Sequence, residues 1–255
     1  MDRRPLDALL SSYPRSQPRL TPEQQASYVE HYRSNRAGKR GLSRVVTKLE
    51  SWMHRCVAEG VNNGSLLEIG AGNLNHVPYL PPAYTCDAVE PFKELWEGSP
   101  YLPCIRRIYS DLREIPQTER YDCILSIAVL EHLRDLPFVL ARSGLLLRAG
   151  GTFRAGFPSE GGLLWGLSWR LTTGIAYRLK RGLKYAEIMR HEHLNTASEI
   201  LMLLGYFFQK IEVARFPLPF LHFSFYTTVI VSHPCIDRCR KFSALEPISD
   251  VFAHD

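Results

Sequence analysis

The stretch that decides the fold is residues 66–74, LLEIGAGNL, in which a run of apolar residues breaks into a turn containing Gly70 and Gly72. A backbone that must bend sharply and let a ligand come close needs residues without side chains. Two such glycines also fit an ordinary turn between a strand and a helix. The residues that surround this turn along the chain therefore decide between the two interpretations.

Short apolar runs alternate with helix-length segments around this turn, which is typical of a mostly parallel sheet covered by helices on both faces. Only residues 217–222 separate the last two strands, and a link this short joins antiparallel neighbours. The pattern predicts a helix after each of the first five strands and an earlier helix over residues 21–59. The predicted strands are residues 65–69, 84–90, 104–109, 121–127, 151–156, 209–216 and 223–232, and the later helices are residues 92–97, 136–147 and 197–204.

The composition is that of a globular protein, with 45% hydrophobic and 22% charged residues in a chain of 255. No stretch reaches the ~18 consecutive apolar residues of a membrane-spanning helix, and no apolar signal core follows Met1, so we expect a cytoplasmic protein. Cys86, Cys104 and Cys123 lie in or beside apolar runs, which predicts reduced, buried thiols. The spacing of Cys235 and Cys239 does not match a zinc site, and we predict no bound metal.

The net charge of +5 comes from one segment. Residues 165–190 contain six basic side chains and one acidic side chain, so the rest of the chain holds 25 of the 31 basic residues and 25 of the 26 acidic ones. This distribution argues against a general nucleic-acid binder and predicts a local anionic partner. The basic residues of the segment are Arg170, Arg178, Lys180, Arg181, Lys184 and Arg190.

Acidic residues lie at or just after the ends of the two predicted strands that follow the glycine turn. Glu90 lies twenty residues after Gly70, where a carboxylate can accept hydrogen bonds from both ribose hydroxyls of a nucleoside. Asp111 follows the third strand and could accept the exocyclic amine of an adenine, while Leu112 covers the face of the ring. Three successive strand ends thus supply a turn, a ribose acceptor and an adenine acceptor. The ordered set predicts a cofactor that contains adenosine.

The fourth predicted strand and its exit are residues 121–133, YDCILSIAVLEHL, an apolar strand that runs into a Leu-Glu-His segment. Over residues 65–157 the chain resembles the class I S-adenosylmethionine-dependent methyltransferases, in particular their small-molecule branch. The resemblance implies a doubly wound α/β fold with a seven-stranded, mostly parallel sheet and S-adenosylmethionine as the cofactor. It also implies cofactor contacts at Glu68, Gly70, Gly72, Glu90, Asp111, Leu112, Ser126 and Ala128.

The glycine turn departs from two known patterns. Leu74 stands where methyltransferases usually have a third small residue, which puts the local geometry of the loop in question. Asn75 stands where a dinucleotide-binding turn requires glycine, which argues against NAD.

Methyl transfer is an in-line displacement, and an oxygen acceptor also needs a base that titrates near neutrality. The candidate catalytic residues are His132, at the exit of the fourth strand, and His191 and His193, within residues 190–195 (RHEHLN). His132 fits a cofactor contact as well as a base. If residues 190–195 are extended, His191 and His193 turn to one side. Alternatively, these two histidines and Asn195 cap the next helix.

Residues 158–184 lie where a doubly wound sheet places its ligand crevice, so we interpret them as a substrate cap. The cap contains aromatic residues that could stack on a sugar or an aromatic ring: Trp165, Trp169, Tyr177 and Tyr185. It also contains apolar residues every four positions, at Leu167, Leu171, Ile175, Leu179 and Leu183. That repeat fits a helix packed on the core, or an amphipathic helix that contacts an anionic membrane surface or a phosphate-bearing carrier.

These observations divide the chain into an N-terminal helical segment (residues 1–60), a cofactor-binding core (61–157), a substrate cap (158–196) and a helix with two strands that complete the core (197–255). We predict a methyltransferase that acts on a hydroxyl of a small molecule or glycan precursor, which could be anionic. The alternatives are an N- or C-methyltransferase acting on a small metabolite, and a regulatory protein that binds S-adenosylmethionine without catalysis. A nicotinamide oxidoreductase is a more distant alternative. A peripheral membrane contact through residues 165–190 is a further expectation.

Overall fold

The computed structural model describes residues 4–25, 44–175, 177 and 185–244. Within them, seven strands form one sheet in the order β3-β2-β1-β4-β5-β7-β6. Strand β7 is antiparallel to both of its neighbours, and the other described pairs are parallel, as the short link before it predicted. The strands are β1 (Gly64–Ile69), β2 (Tyr84–Val89), β3 (Ile105–Tyr109), β4 (Tyr121–Ile127), β5 (Leu147–Pro158), β6 (Phe208–Pro217) and β7 (Ser224–Pro234).

The helices lie on both faces of this sheet, which confirms the predicted doubly wound α/β fold class. They are α1 (Arg4–Ser11), α2 (Arg44–Ala58), α3 (Lys93–Trp96), α4 (Leu136–Leu146), α5 (Leu163–Trp169), α6 (Tyr185–Glu192), α7 (Ala197–Phe207) and α8 (Ile236–Ser243). Part of the helix predicted over residues 21–59 corresponds to α2, and residues 26–43 lie outside the described part of the chain.

The prediction of a helix after each of the first five strands is wrong in two links. Between β1 and β2 the chain forms only the 3-10 turn Val77–Tyr79, and between β3 and β4 only the 3-10 turn Leu112–Glu114. Prolines occur in both links, at Pro78, Pro81 and Pro82 in the first and at Pro116 in the second. Because proline lacks the amide hydrogen that an α-helix needs, these links stay short and irregular.

Alternate residues of the central strands face opposite layers of the core. Leu67 of β1 and Ile124 of β4 are fully buried in the cluster that includes α4 and α7. Leu66, their neighbour on β1, is fully buried on the other side with Val57 of α2. Helix α2 lies very close to β5, because a Cβ atom on Gly156 would come within 2.5 Å of Met53 Cγ. This packing brings α2 over the strand ends at which the candidate site lies.

The cap begins with α5, which continues as a π-helical turn over Arg170–Gly174. The apolar repeat does not pack into the core, because Leu167, Leu171 and Ile175 are exposed. The prediction of a core-packing helix is therefore wrong at these positions, since α5 turns Trp165 and Trp169 toward the protein instead. Leu179 and Leu183 lie outside the described residues.

The six cysteines are all free thiols. Cys86 and Cys123 are buried, as predicted from their apolar surroundings, but Cys104 is exposed. Cys104 ends the 3-10 turn before β3, so it belongs to a link and not to a buried strand. Among the described residues, no helix is long and apolar enough to cross a membrane.

Candidate active site

The two glycines of the turn after β1 have different surroundings. Gly70 has a φ of +71°, and a Cβ atom there would lie 2.3 Å from Val129 Cγ2. Gly72 has a φ of +51°, and a Cβ atom there would have nothing within 4 Å. Gly70 is therefore required by packing as well as by backbone conformation. Gly72 instead borders open space, into which a ligand can approach the backbone.

Leu74 shows how this turn accommodates a large residue in place of a small one. Its φ of +64° is unfavourable for a side chain that carries a Cβ atom. The side chain is fully buried in a cluster with Ala71, Val77 and Ala88. Burial of a leucine side chain offsets the conformational cost, and so the loop keeps its tight geometry without a third small residue.

Glu90 follows β2 directly and is held beside the glycine turn by two backbone amides. Its Oε2 accepts a hydrogen bond from the Gly72 amide at 2.8 Å, and its Oε1 accepts one from the Phe92 amide at 3.0 Å. These two contacts fix the orientation of the carboxylate beside the turn. This geometry fits the ribose-binding role predicted for Glu90.

Two polar atoms at neighbouring strand ends are buried without a hydrogen-bond partner, Glu68 Oε2 and Ser126 Oγ. Ser126 pairs in register with Ile69, the residue after Glu68. Burial, reinforced by the charge of Glu90, raises the pKa of Glu68 to about 8. Glu68 is therefore largely protonated at neutral pH and can donate a hydrogen bond. A polar ligand at this edge would satisfy atoms that the protein alone leaves unpaired.

Asp111 and Leu112 are placed less favourably for the roles predicted for them. The Asp111 carboxylate accepts hydrogen bonds from Nε and Nη2 of Arg113, each at 2.7 Å. This carboxylate can accept an adenine amine only if it also keeps Arg113 as a partner or releases it. The Leu112 side chain is 2% exposed and belongs to the main core cluster. A role for these two residues in binding adenine stays a prediction.

A cavity of about 520 Å³ opens where β4 ends. One wall comes from the strand exit, with Ala128, Glu131 and His132. Ala128 has a φ of +54° and donates its amide to Gly156 O at 2.7 Å, which turns the chain sharply away from the sheet. Helix α2 and Asn75 of the glycine turn form a second wall, and the cap and β7 form a third.

On the cap side of the cavity, His193 pairs with Glu160, and the indole of Trp165 bonds to the same carboxylate. His193 Nδ1 lies 3.0 Å from Glu160 Oε2, and Trp165 Nε1 donates to the same oxygen at 2.5 Å. Burial lowers the pKa of His193, but the hydrogen bond to Glu160 and the charges of Glu131 and Glu160 outweigh it, so the net shift is upward from 6.5. Burial raises the pKa of Glu160, and the bonds from His193 and Trp165 reverse this shift to a net lowering.

His132 stands edge-on to His193, with ring centroids 4.9 Å apart and planes at 89°. Its Nδ1 lies 2.8 Å from Glu192 O. Because a carbonyl oxygen only accepts, Nδ1 carries the proton of the neutral ring and Nε2 is the acceptor nitrogen. Nε2 is 3.7 Å from Glu131 Oε1. The sequence-based expectation that His132 lies at the pocket agrees with this placement, while its chemical role stays a prediction.

His191 is not part of the cavity lining, and residues 190–192 belong to α6, so the extended conformation considered for residues 190–195 does not form over their first half. His193 follows the end of α6 and lines the cavity, whereas His191 lies within the helix and is not part of the lining. His191 Nδ1 donates to Pro18 O at 2.7 Å.

The alternative, that His191, His193 and Asn195 cap the next helix, is also wrong. Thr196 caps α7 and forms a capping box with Glu199. Asn195 instead donates to Leu130 O and Leu133 O, each at 2.8 Å. An asparagine with two carbonyl partners this close is committed to holding the loop after β4, and so it cannot serve the helix end.

The cavity residues that the sequence did not single out include Glu131 and His54. Glu131 is 2% exposed, its Oε2 has no hydrogen-bond partner, and burial raises its pKa to about 7. Its position beside His132 was the available signal. His54 of α2 also lines the cavity, and its Nδ1 lies 2.9 Å from Nδ1 of the buried His76. No spacing in the sequence links these two histidines, because their contact exists only once α2 packs on the glycine turn.

The aromatic residues of the cap divide between two places. Trp165, Trp169 and Tyr185 line the cavity, together with Tyr226 of β7. Tyr177 lies instead in a small core cluster with Ile188. Three of the four aromatic residues predicted to meet a substrate are thus at the cavity.

Comparisons with known proteins identify the fold. No family model and no curated protein matches the sequence. Three of the similar solved structures are described as a possible exported protein from Bordetella parapertussis, an O-methyltransferase family protein from Burkholderia thailandensis, and the plantazolicin methyltransferase BpumL. The chain has the Rossmann-like fold of S-adenosylmethionine-dependent methyltransferases. The resemblance to class I methyltransferases is confirmed at the level of the fold.

The extent of the likeness is similar in all three cases. The Bordetella protein matches with a TM-score of 0.55 and 15% identity over 92% of this chain and 80% of that one. The Burkholderia protein matches with a TM-score of 0.54 and 14% identity over 90% of this chain and 67% of that one. BpumL was solved in complex with a monoazolic desmethylPZN analog and SAH. It matches with a TM-score of 0.53 and 14% identity over 80% of this chain and 90% of that one.

Proposed function

We propose that this protein transfers the methyl group of S-adenosylmethionine to a hydroxyl group of a small molecule or glycan precursor. One observation carries the proposal. His193, paired with Glu160, lines the same cavity as the exit of β4, where enzymes of this fold bring their cofactor to the acceptor. A base at His193 would then lie next to the methyl group of the bound cofactor, which is what O-methyl transfer needs.

The residues at the strand ends fit the cofactor in chemical character. Glu90 would accept the ribose hydroxyls, and the open space beside Gly72 would let the ligand lie against the backbone. Glu68 and Ser126 would supply polar atoms that have no partner in the protein. When bound, S-adenosylmethionine supplies an electrophilic methyl group on a sulfonium. The protein has then to exclude water, align the acceptor and remove its proton.

His193 is the best candidate for the base. Its Nδ1 donates to the ionised Glu160, which leaves Nε2 as the acceptor nitrogen of the neutral ring. A base works best when its pKa lies near the working pH, and the net upward shift from 6.5 moves His193 in that direction. Trp165 fixes Glu160 and so fixes the orientation of the imidazole. His132, at the other wall, is the alternative base.

The test combines a binding measurement with a screen for acceptors. Calorimetry should detect S-adenosylhomocysteine, and release of that product should then be followed with sugars, nucleotide sugars and phenols. Replacement His193→Gln should lower kcat by about 100-fold or more, with the affinity for S-adenosylhomocysteine kept. His191→Gln is the matched control, because His191 bonds Pro18 rather than lining the cavity. Absence of binding would overturn the proposal, and full activity of His193→Gln would remove O-transfer assisted by this base.

A second candidate function is methyl transfer to a nitrogen. Among the described residues, the cavity lining contains two acidic residues, Glu131 and Glu192, and no lysine or arginine, and Glu160 bonds to the lining residue His193. Carboxylates of this kind attract an amine, which carries its own nucleophilic lone pair once deprotonated. N-transfer predicts that Glu131→Gln weakens acceptor binding more than His193→Gln does. C-transfer and a regulatory role without catalysis stay alternatives, and binding without turnover on any acceptor would favour the latter.

The predicted negative charge of the acceptor has no support from this lining. Of the six basic residues counted in residues 165–190, only Arg170 and Arg190 are described, and neither lines the cavity. The expectation of an anionic acceptor therefore stays a prediction. A neutral or cationic acceptor fits the acidic cavity better.

A further inference from the structure

The outer side of α5 and of the turn that follows it is apolar. Leu163, Leu167, Leu171 and Ile175 are each between 48% and 64% exposed. Residues four apart in a helix lie on the same side, so these four side chains form one continuous stripe. Single exposed apolar residues are common on soluble proteins, but a contiguous row marks a surface that binds something.

A second exposed apolar segment adjoins this stripe, in the link between β6 and β7. Leu218, Phe220 and Phe223 are between 50% and 64% exposed. The 3-10 turn Leu221–Phe223 packs against the start of α5, because a Cβ atom on Gly162 would lie 2.5 Å from Leu221 O. We call the seven exposed side chains of the two segments the apolar face: Leu163, Leu167, Leu171, Ile175, Leu218, Phe220 and Phe223. The face holds seven of the ten large apolar residues that are exposed in the described part of the chain.

The charges around the apolar face are basic. Neither residues 163–175 nor residues 215–223 contain an aspartate or a glutamate, while each segment contains an arginine, Arg170 and Arg215. An apolar surface bordered by cations matches an anionic lipid bilayer, whose headgroups attract the cations and whose interior accepts the apolar side chains.

Helix α5 connects this face to the cavity. Its inner side carries Trp165 and Trp169, which line the cavity, and Trp165 also bonds Glu160 of the pair with His193. A surface bound to the apolar face would therefore lie one helix diameter, roughly 10 Å, from the cavity wall. An acceptor that resides in a membrane could reach the cavity without crossing bulk water.

We propose that the apolar face docks on an anionic membrane surface, and that the acceptor is an amphipathic molecule anchored in that membrane. The docking stands on the exposed side chains and the charges. The nature of the acceptor rests on the proposed methyl transfer. A second copy of the chain or a protein partner on this face is the competing occupant, and the experiments below separate them.

Docking is tested with the full chain and lipid vesicles, without cofactor or acceptor. Sedimentation with vesicles of phosphatidylcholine and phosphatidylglycerol should carry the protein down, and vesicles of phosphatidylcholine alone should carry down less. Raising the salt concentration should weaken the binding to anionic vesicles. The double variant Leu167→Ser/Phe220→Ser should lower this binding by about tenfold or more, since it removes two large apolar contacts.

The matched control is Met202→Ser, which changes an exposed apolar residue of α7 outside the face. It should bind vesicles like the unmodified protein, and both variants should keep the thermal unfolding midpoint and the affinity for S-adenosylhomocysteine. Equal binding of the double variant and the unmodified protein would overturn the docking, as would the absence of binding to anionic vesicles. A dimer in ultracentrifugation that only the double variant disrupts would assign the face to a second copy.

The nature of the acceptor has its own measurement. An acceptor found in the screen is given an alkyl chain, and its methylation is followed with and without anionic vesicles. The rate with the unmodified protein should rise several-fold when vesicles are added, and the rate with the double variant should not. Vesicle binding without any methyl transfer would overturn the proposed function and leave the docking in place. Equal rates with and without vesicles would overturn the membrane acceptor alone.

Discussion

The candidate site has two parts, the proposed cofactor side at the glycine turn and the proposed acceptor side at the cavity, and they are assembled in different ways. On the cofactor side, the contacts join residues that follow neighbouring parallel strands, as in the pairing of Glu90 with the Gly72 amide. On the acceptor side, side chains meet from distant parts of the chain: His193 follows α6, Glu160 follows β5 and Glu131 follows β4. The first arrangement follows once the sheet forms, because parallel strands deliver their carboxyl ends to one edge. The second depends on where the cap folds back over that edge.

This difference predicts how substitutions act on the two sides. Changes at the glycine turn should alter folding and cofactor binding together, since backbone and ligand share the same atoms. Changes in the cap should alter catalysis and leave cofactor binding intact. The four experiments below probe this contrast.

The largest effect is expected at the glycine turn itself. Gly70→Ala should lower the free energy of unfolding by about 3 kcal/mol, because a Cβ atom would meet Val129 Cγ2 at 2.3 Å in an unfavourable backbone conformation. Gly72→Ala should cost about 1 kcal/mol, for the backbone conformation alone. Urea unfolding measures both. Equal losses would show that packing against Val129 is not what requires Gly70.

Glu90 should affect the cofactor more than Asp111 does. Replacement Glu90→Gln should weaken S-adenosylhomocysteine binding by roughly 10- to 100-fold, because a charged hydrogen-bond acceptor beside the turn is lost. Asp111→Asn should cost less than about tenfold, since its carboxylate is engaged with Arg113. Calorimetry at one salt concentration compares them. A larger loss at Asp111 would mean that its pair with Arg113 opens to receive the adenine.

On the acceptor side, Glu160→Gln should lower the pKa of His193. Burial already lowers that pKa, and the variant removes the charge of Glu160 and leaves a weaker, neutral acceptor for the hydrogen bond that raises it above 6.5. Titration of the imidazole ring protons by NMR, with His193→Gln used to assign the signal, measures the shift. S-adenosylhomocysteine affinity should stay the same. An unchanged pKa would place the cause of the upward shift in Glu131 instead.

The last prediction concerns the buried carboxyl group of Glu68 and the pH dependence of stability. Its pKa is raised from 4.5 to about 8 in the folded protein, so the folded state holds this proton more tightly than the unfolded state does. The corresponding stability is complete below the unfolded pKa and is lost as the pH rises toward about 8. Glu68→Gln removes this pH-dependent loss of stability, because glutamine does not titrate. Urea unfolding at pH 5 and pH 8 should therefore show a smaller decrease with pH for the variant than for the unmodified protein, and an identical decrease would exclude the shift.

The sequence alone determined the sheet and the cofactor edge. Apolar runs of strand length, turn residues and the short link before β7 predicted the strands to within a few residues at most ends, because these patterns depend on local sequence. The positions of Gly70, Gly72 and Glu90 at one edge followed from strand order. The prediction failed in the two links that contain proline, between β1 and β2 and between β3 and β4, where the predicted helices do not form.

Only the tertiary structure decided which side chains meet at the acceptor side and which apolar residues face out. The pairing of His193 with Glu160 spans 33 residues and that of His54 with His76 spans 22, and neither has a period that a sequence pattern reveals. A repeat of apolar residues every four positions predicts one side of a helix, but it does not say whether that side faces the core or the solvent. In the cap the inner side of α5 is taken by Trp165 and Trp169, and so the leucines are left on the surface.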